Sequence, residues 1–79
     1  MSAERSLAPD LATGTRTDEL LSAGTRWLEG SSDSPRLDAE LLLAHALEKP
    51  RTYLYQTLSA VVPAAPAARY AALLGQRAA

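Results

Sequence analysis

Apolar residues recur with helical spacing between positions 18 and 29, and this pattern predicts a first helix over 18–29. At about 100° per residue, five positions fall within one arc of ~120°: Leu20, Leu21, Gly24, Trp27 and Leu28. Thr17 is the expected N-cap, because its hydroxyl can accept a bond from a free backbone N–H. Gly30 suits the left-handed conformation that ends many helices.

The second apolar segment has a different pattern. Ser34 and Pro35 have the order of an N-cap followed by proline at the first helical position, so a second helix is predicted over 35–48. Its three consecutive leucines, 41–43, span about 200° of the helix circumference and cannot share one face. A helix that is apolar nearly all round is normally buried among others. We therefore expect it to be the central and most buried helix.

Two shorter patterns follow. Leu54, Leu58 and Val61 are spaced i, i+4, i+7 and predict a third helix over 52–59. A last helix is predicted over 66–77, with an inner stripe of Tyr70, Leu73, Leu74 and the stem of Arg77. Residues 1–16 show no period and are predicted to form a disordered tail before a helical domain of residues 17–79. The expected fold is all-α, a small bundle of four to five helices.

Composition narrows the class of protein. Of 79 residues, 30 are Ala or Leu, and Phe and Cys are absent, which favours helices and an aliphatic core. A net charge of −1 argues against a dedicated nucleic-acid or membrane-surface protein. Without cysteine there is no disulfide or thiolate chemistry. The beginning of the chain has no apolar stretch typical of a signal peptide, so we expect a cytoplasmic protein.

Residues that could perform catalysis are scarce. The one histidine, His45, follows Asp38 by one heptad on the second helix. Because seven residues span about 10 Å of helix axis and no third group is in sight, we interpret the two as a polar strip. A metal site or a cofactor site is not expected, since the chain has no glycine-rich phosphate loop. We therefore assign no catalytic, cofactor-binding or metal-binding residue.

Two carboxylates flank the apolar run of the second helix. If this helix is central, Asp38 or Glu40 is partly buried and needs a cation. Arg36 and Arg51 are the available partners. Asp38 and Glu40 are therefore candidates for a structural ion pair. The alternative is a charge pair that binds a partner protein.

The two tyrosines of the third helix, Tyr53 and Tyr55, lie on different sides, so one of them should be exposed. An exposed tyrosine beside Arg51 is a reasonable recognition patch, because Tyr and Arg are enriched in interface hot spots. The alternative is packing at the edge of the core. The candidate partner-binding residues are Arg36, Arg51 and Tyr53.

Residues 34–47, SPRLDAELLLAHAL, followed by RTYL at 51–54, resemble the N-terminal domain of the HemK/PrmC family. The family pattern is an arginine, one residue, Asp-Ala-Glu, an aliphatic triplet and a nearby histidine. A basic residue with an aromatic or aliphatic pair comes next, and a helix ending in leucine, small residues and arginine closes the domain. The resemblance covers about residues 18–79, and the positions that carry it are Arg36, Asp38, Ala39, Glu40, Leu41, Leu42, Leu43, His45, Arg51, Tyr53, Leu54 and residues 73–78.

The resemblance implies a function for the helical domain. The family comprises S-adenosylmethionine-dependent methyltransferases that modify the glutamine of the Gly-Gly-Gln motif in peptide chain release factors. Their N-terminal bundle docks and orients the release factor, and the catalytic domain that holds the cofactor follows it. That domain has no counterpart in this sequence, and we expect it beyond Ala79, where the last helix has no stop signal. A release factor is thus the implied partner of a monomeric helical domain.

Two other readings compete with this one. Acyl and peptidyl carrier proteins are four-helix bundles of similar length, with an Asp-Ser pair before the second helix whose serine carries phosphopantetheine. Asp33 and Ser34 have this position, but Pro35 stands where carrier proteins have an aliphatic residue, and carrier proteins are usually strongly acidic. The other reading is a free-standing helical interaction module with no attached enzyme.

Overall fold

The computed structural model describes residues 15–78, and within this range the chain folds into four helices with no strand. They are α1 (Thr17–Leu28), α2 (Pro35–Leu47), α3 (Arg51–Gln56) and α4 (Ala64–Ala78). The predicted all-α bundle is therefore confirmed. Most of the predicted disordered tail lies outside the described residues.

The first turn of α1 is held by a distant part of the chain. Thr17 is the first residue of the helix and Arg16 is the N-cap, so the prediction of Thr17 as N-cap was wrong. The backbone N–H of Thr17 donates to the carbonyl of Ala60 at 3.0 Å. The carboxylate of Glu19 accepts the backbone N–H of Arg16 at 2.9 Å. Ala60, from a distant segment, and Glu19, from the first turn, thus accept backbone N–H groups at the start of α1. These contacts take the place of a capping hydroxyl.

Residues 15–18 pair with residues 58–62. The N–H of Val62 donates to the carbonyl of Thr15 at 3.0 Å, and the N–H of Asp18 donates to the carbonyl of Leu58 at 2.9 Å. Arg16 and Val61 form an isolated antiparallel bridge between them. Residues 15 and 16 therefore belong to the folded domain, and the predicted tail boundary at residue 16 was too late.

Helix α2 lies at the centre of the bundle and contacts α1, α3 and α4. Its inner face is buried through Ala39, Leu43 and Ala46. The predicted central position of α2 is confirmed, but the prediction that it is the most buried helix was wrong, because Leu37 is 40% and Leu41 is 49% exposed whereas all leucines of α1 are fully buried. Three neighbouring helices cover only part of its circumference.

The connection from α3 to α4 differs most from its prediction. α3 ends at Gln56, short of the predicted residue 59. Leu58 and Val61 are exposed, and Val62 enters the core instead. The chain leaves the helix because residues 58–62 turn to pair with the start of α1. α4 begins at Ala64, slightly before the predicted Pro66, and its first turn tolerates this proline.

A close contact joins α1, α2 and α4. The buried Tyr70 of α4 donates its hydroxyl to the carbonyl of Leu20 at 2.9 Å, and burial raises the pKa of this phenol. A Cβ at Gly24 would lie 2.9 Å from the ring carbon Cζ of Tyr70 and 3.3 Å from the Cβ of Ala39. Glycine therefore lets α1 approach both neighbours. Beside this contact, the indole N–H of Trp27 donates to the carbonyl of Leu74 at 2.9 Å.

Candidate functional site

A carboxylate and three of its neighbours join α2 to α3. We call Glu40, Arg36, Arg51 and Tyr55 the Glu40 cluster. Arg36 Nε donates to Glu40 Oε2 at 3.0 Å, and the Tyr55 hydroxyl donates to Oε1 at 2.6 Å. Arg51 Nε lies 3.7 Å from Oε1. The i, i+4 spacing on α2 aligns Arg36 with Glu40, and α3 supplies the other two side chains.

The Glu40 cluster contains two positive side chains and one negative side chain. Only 8% of the Glu40 side chain is exposed, whereas Arg36 and Arg51 are 50% and 43% exposed. Burial raises the pKa of Glu40, but the hydrogen bonds from Tyr55 and Arg36 and the two nearby guanidinium charges outweigh burial and lower this pKa. The same hydrogen bond raises the pKa of Tyr55. At neutral pH, two guanidiniums therefore share one carboxylate, leaving an excess positive charge beside solvent.

Asp38 lies on the other flank of α2 and has different partners. Its carboxylate accepts a hydrogen bond from Arg77 Nη2 at 2.9 Å and another from the hydroxyl of Ser32. The first contact ties α2 to α4, and the second fixes the loop before α2. The two candidate ion-pair residues thus hold opposite sides of the helix, and only Glu40 contacts Arg36 and Arg51 among the ion pairs of residues 15–78.

The structure separates the two tyrosines of α3. Tyr53 is half-buried, and its ring centroid lies 5.3 Å from the Lys49 ammonium. Tyr55 is 49% exposed and is the tyrosine that joins Arg51 at Glu40. Sequence reasoning named Tyr53 and did not name Tyr55 as a site residue. No local signal could have found it, because its partner lies 15 positions earlier on another helix.

Sequence reasoning also missed the outward leucines of α2. Leu37 and Leu41 are one turn apart, and Glu40 lies between them along the chain. His45 continues the exposed stripe one turn further. The consecutive leucines at 41–43 were the available signal, since three such residues cannot all face one core.

The surface of α1 carries an open depression that is lined by Ala23, Arg26 and Trp27. Every buried side-chain nitrogen or oxygen within residues 15–78 already has a hydrogen-bond partner. In the same range, no three histidine, aspartate or glutamate side chains converge in a group that could hold a metal ion.

None of the helices between residues 15 and 78 is long and apolar enough to span a lipid bilayer.

Comparison with known proteins gives one match. Residues 19–79 match the family of the PrmC N-terminal domain. No curated protein matches the chain, and no solved structure does. The matched range includes α2, α3 and α4 in full and most of α1.

Proposed function

Because the chain belongs to the PrmC N-terminal domain family, we propose that it docks a peptide chain release factor for a protein-glutamine methyltransferase. The observation that carries this proposal is the family match over residues 19–79, nearly the whole described fold. The methylated residue would be the glutamine of the Gly-Gly-Gln motif. Such a function takes place in the cytoplasm, where translation ends.

The physical role of a docking domain is to position its substrate. A second contact away from the active site raises the effective concentration of the reacting group and restricts its orientation. Residues 31–36 are suited to this role because Asp38 accepts a bond from Ser32 and the backbone N–H of Ser34 donates to the Ser32 hydroxyl. A loop fixed in this way loses little conformational entropy on binding.

Two of the candidate contact residues, Arg36 and Arg51, are held side by side at Glu40. Arg36 begins α2 just after the loop, and Glu40 holds its guanidinium next to that of Arg51. Tyr53 follows on α3, with its ring beside the Lys49 ammonium. Half-exposed guanidiniums that are already oriented can form charge-assisted bonds to a carboxylate of the release factor.

The methyl donor belongs to another part of such an enzyme. This sequence has no glycine-rich phosphate loop, and we propose that S-adenosylmethionine binds only in the catalytic domain. When bound there, it would supply the methyl group. Calorimetry with the isolated chain should show no saturable binding of S-adenosylmethionine.

An NMR titration tests the docking proposal. Isotope-labelled chain is titrated with a purified release factor, and shift changes are expected at residues 31–36, Arg51 and Tyr53. Arg51→Ala should weaken binding, whereas Arg69→Ala, at an exposed position of α4, is the matched control and should not. Shift changes confined to residues 1–16, or none at high concentration, would contradict a docking role.

A further inference from the structure

The outward face of α2 carries apolar surface that the fold does not use. Leu37 and Leu41 are one helical turn apart, about 6 Å along the axis, and are 40% and 49% exposed. We propose that these two leucines and the Glu40 cluster form one docking surface for an apolar side chain that lies beside a carboxylate on the partner protein. The inference rests on the proposed function, in which the partner is the release factor.

The apolar and charged parts of this surface are contiguous. Glu40 follows Leu37 by three positions and Leu41 follows it by four, so Leu37 is a helix-surface neighbour of both and connects the apolar part to the charged part. The hydroxyl of Tyr55 reaches Glu40, which brings a ring that is 49% exposed to the same edge of α2. On the opposite flank, Asp38 and Arg77 neutralise each other. The excess charge of the surface is therefore on the α3 side.

The residue types on this surface differ from those of an ordinary solvated face. A single exposed leucine is common and has no special meaning. Two leucines beside an exposed tyrosine and two arginines are different, because aromatic residues and arginine are enriched in interfaces and in hot spots. The outward side of α1 shows what an ordinary solvated face looks like, with Glu19, Ser22 and Arg26.

The charge of the Glu40 cluster selects an acidic partner. Arg36 and Arg51 share one carboxylate, so a second carboxylate would complete the cluster. Glu40 already restricts both guanidiniums, and this restriction lowers the entropy cost of binding. A partner with an acidic group next to an apolar side chain would contact both parts of the surface at once. The acidic group would bind the arginines, and the apolar side chain would pack on the leucines.

A second copy of this chain fits the surface poorly. Three side chains that are about half exposed form a patch of at most a few hundred square ångströms. A stable dimer buries about 800 Å² on each partner. In a symmetric dimer, the same patch faces itself, which would place arginines against arginines. The surface is therefore better suited to a transient contact with a different, acidic protein.

Leucine substitutions in the whole chain test the proposal, with a purified release factor as the probe and calorimetric Kd as the measurement. Leu41→Ser and Leu37→Ser should each weaken binding about tenfold, since each removes apolar area buried in the complex. Val61→Ser is the control, because Val61 is 60% exposed but lies on the segment that pairs with Arg16. Its Kd should be unchanged, and circular dichroism should show native helix content for all three variants.

A lysine at the same position separates apolar contact from attraction between charges. Leu41→Lys adds positive charge opposite an acidic partner, so it would tighten binding if charge alone mattered. The proposal requires it to weaken binding, and raised salt should weaken the wild-type complex as well. Binding of Leu37→Ser and Leu41→Ser equal to wild type would overturn the inference and leave the docking function standing. Absence of wild-type binding would overturn the docking function itself.

Sedimentation equilibrium of the free chain tests whether a second copy of the chain occupies this surface. A monomer at about 100 μM supports the proposal, since the patch is too small for a stable dimer. A dimer that Leu41→Ser dissociates would overturn it and assign the surface to a second copy.

Discussion

Helices α1 and α2 are neighbours of nearly equal length, 12 and 13 residues, but they distribute their leucines differently. α1 directs Leu20, Leu21 and Leu28 into the core, where all three are fully buried. α2 buries Leu43 completely and leaves Leu37 and Leu41 about half exposed. The outer side of α1 is polar, whereas the outer side of α2 carries two leucines between Arg36 and His45.

The difference separates apolar surface that stabilises the fold from apolar surface that is available for binding. Every leucine of α1 contributes to folding, so its outer side is left to polar residues and water. The outward leucines of α2 contribute less to folding, because the structure leaves about half of each in solvent. The comparison therefore predicts that changes on the buried sides reduce stability and that changes on the outer side of α2 reduce binding.

The largest expected effect is on the buried side of α2. Leu43→Ala should lower the free energy of unfolding by about 2–5 kcal/mol, because it leaves a cavity in the core. Leu41→Ala should cost less than about 1 kcal/mol, because half of this side chain is already in water. Urea unfolding followed by Trp27 fluorescence measures both, since the indole N–H is bonded to Leu74 across the α1–α4 contact. Equal losses at the two positions would remove the distinction between the two sides of α2.

The next effect is on the buried side of α1. Gly24→Ala should cost about 1–3 kcal/mol, because the added methyl group overlaps the Tyr70 side chain. Combined with Tyr70→Phe, which removes the hydroxyl, Gly24→Ala should cost less than it does alone. Urea denaturation of the four proteins gives this coupling as a double-mutant cycle. A more stable Gly24→Ala protein would show that helix propensity outweighs the close contact of α1 with Tyr70.

A smaller effect is expected in the Glu40 cluster. Arg51→Ala should destabilise the protein by about 0.5–1 kcal/mol, because its guanidinium is 43% exposed and Arg36 and Tyr55 still hold Glu40. Arg69→Ala is the matched control and should have no measurable effect, since Arg69 is exposed on α4 and has no ion pair among the described residues. Thermal unfolding compares the two. If neither midpoint moves, the contribution of Arg51 is to binding alone.

The smallest effect is the pH dependence that Glu40 adds. Its pKa is lowered in the folded state, so the unfolded chain binds the proton more tightly. The resulting stabilisation is complete above the unfolded pKa of about 4.3 and is lost as the pH falls through the lower folded pKa. Between about pH 5 and pH 2, wild type should therefore lose more stability than Glu40→Gln. Parallel acid curves for the two proteins would mean that the cluster does not favour the charged carboxylate.

Much of the fold could be predicted from local patterns. The apolar arc of α1 is buried as expected through Leu20, Leu21 and Leu28, and Pro35 begins α2. The central position of α2 followed from its three consecutive leucines, and the motif around Asp38 and Glu40 indicated the family that the comparison then found. These properties are encoded by neighbours one or two helical turns apart, so the sequence determines them by itself.

Other properties depended on segments far apart in the chain. The sequence could not show that Ala60 would accept the first N–H of α1, or that Val62 would be buried instead of Val61. Tyr55 joined the candidate site only because packing brings α3 against Glu40.

The outer side of α2 shows the physical reason most directly. Periodicity states which side chains are apolar and on which side of a helix they lie. Whether Leu37 and Leu41 are covered depends on how many helices pack around α2 and at what angle. The sequence alone therefore specified a helical domain of this family, and the tertiary structure decided which leucines stabilise the fold and which remain available to a partner.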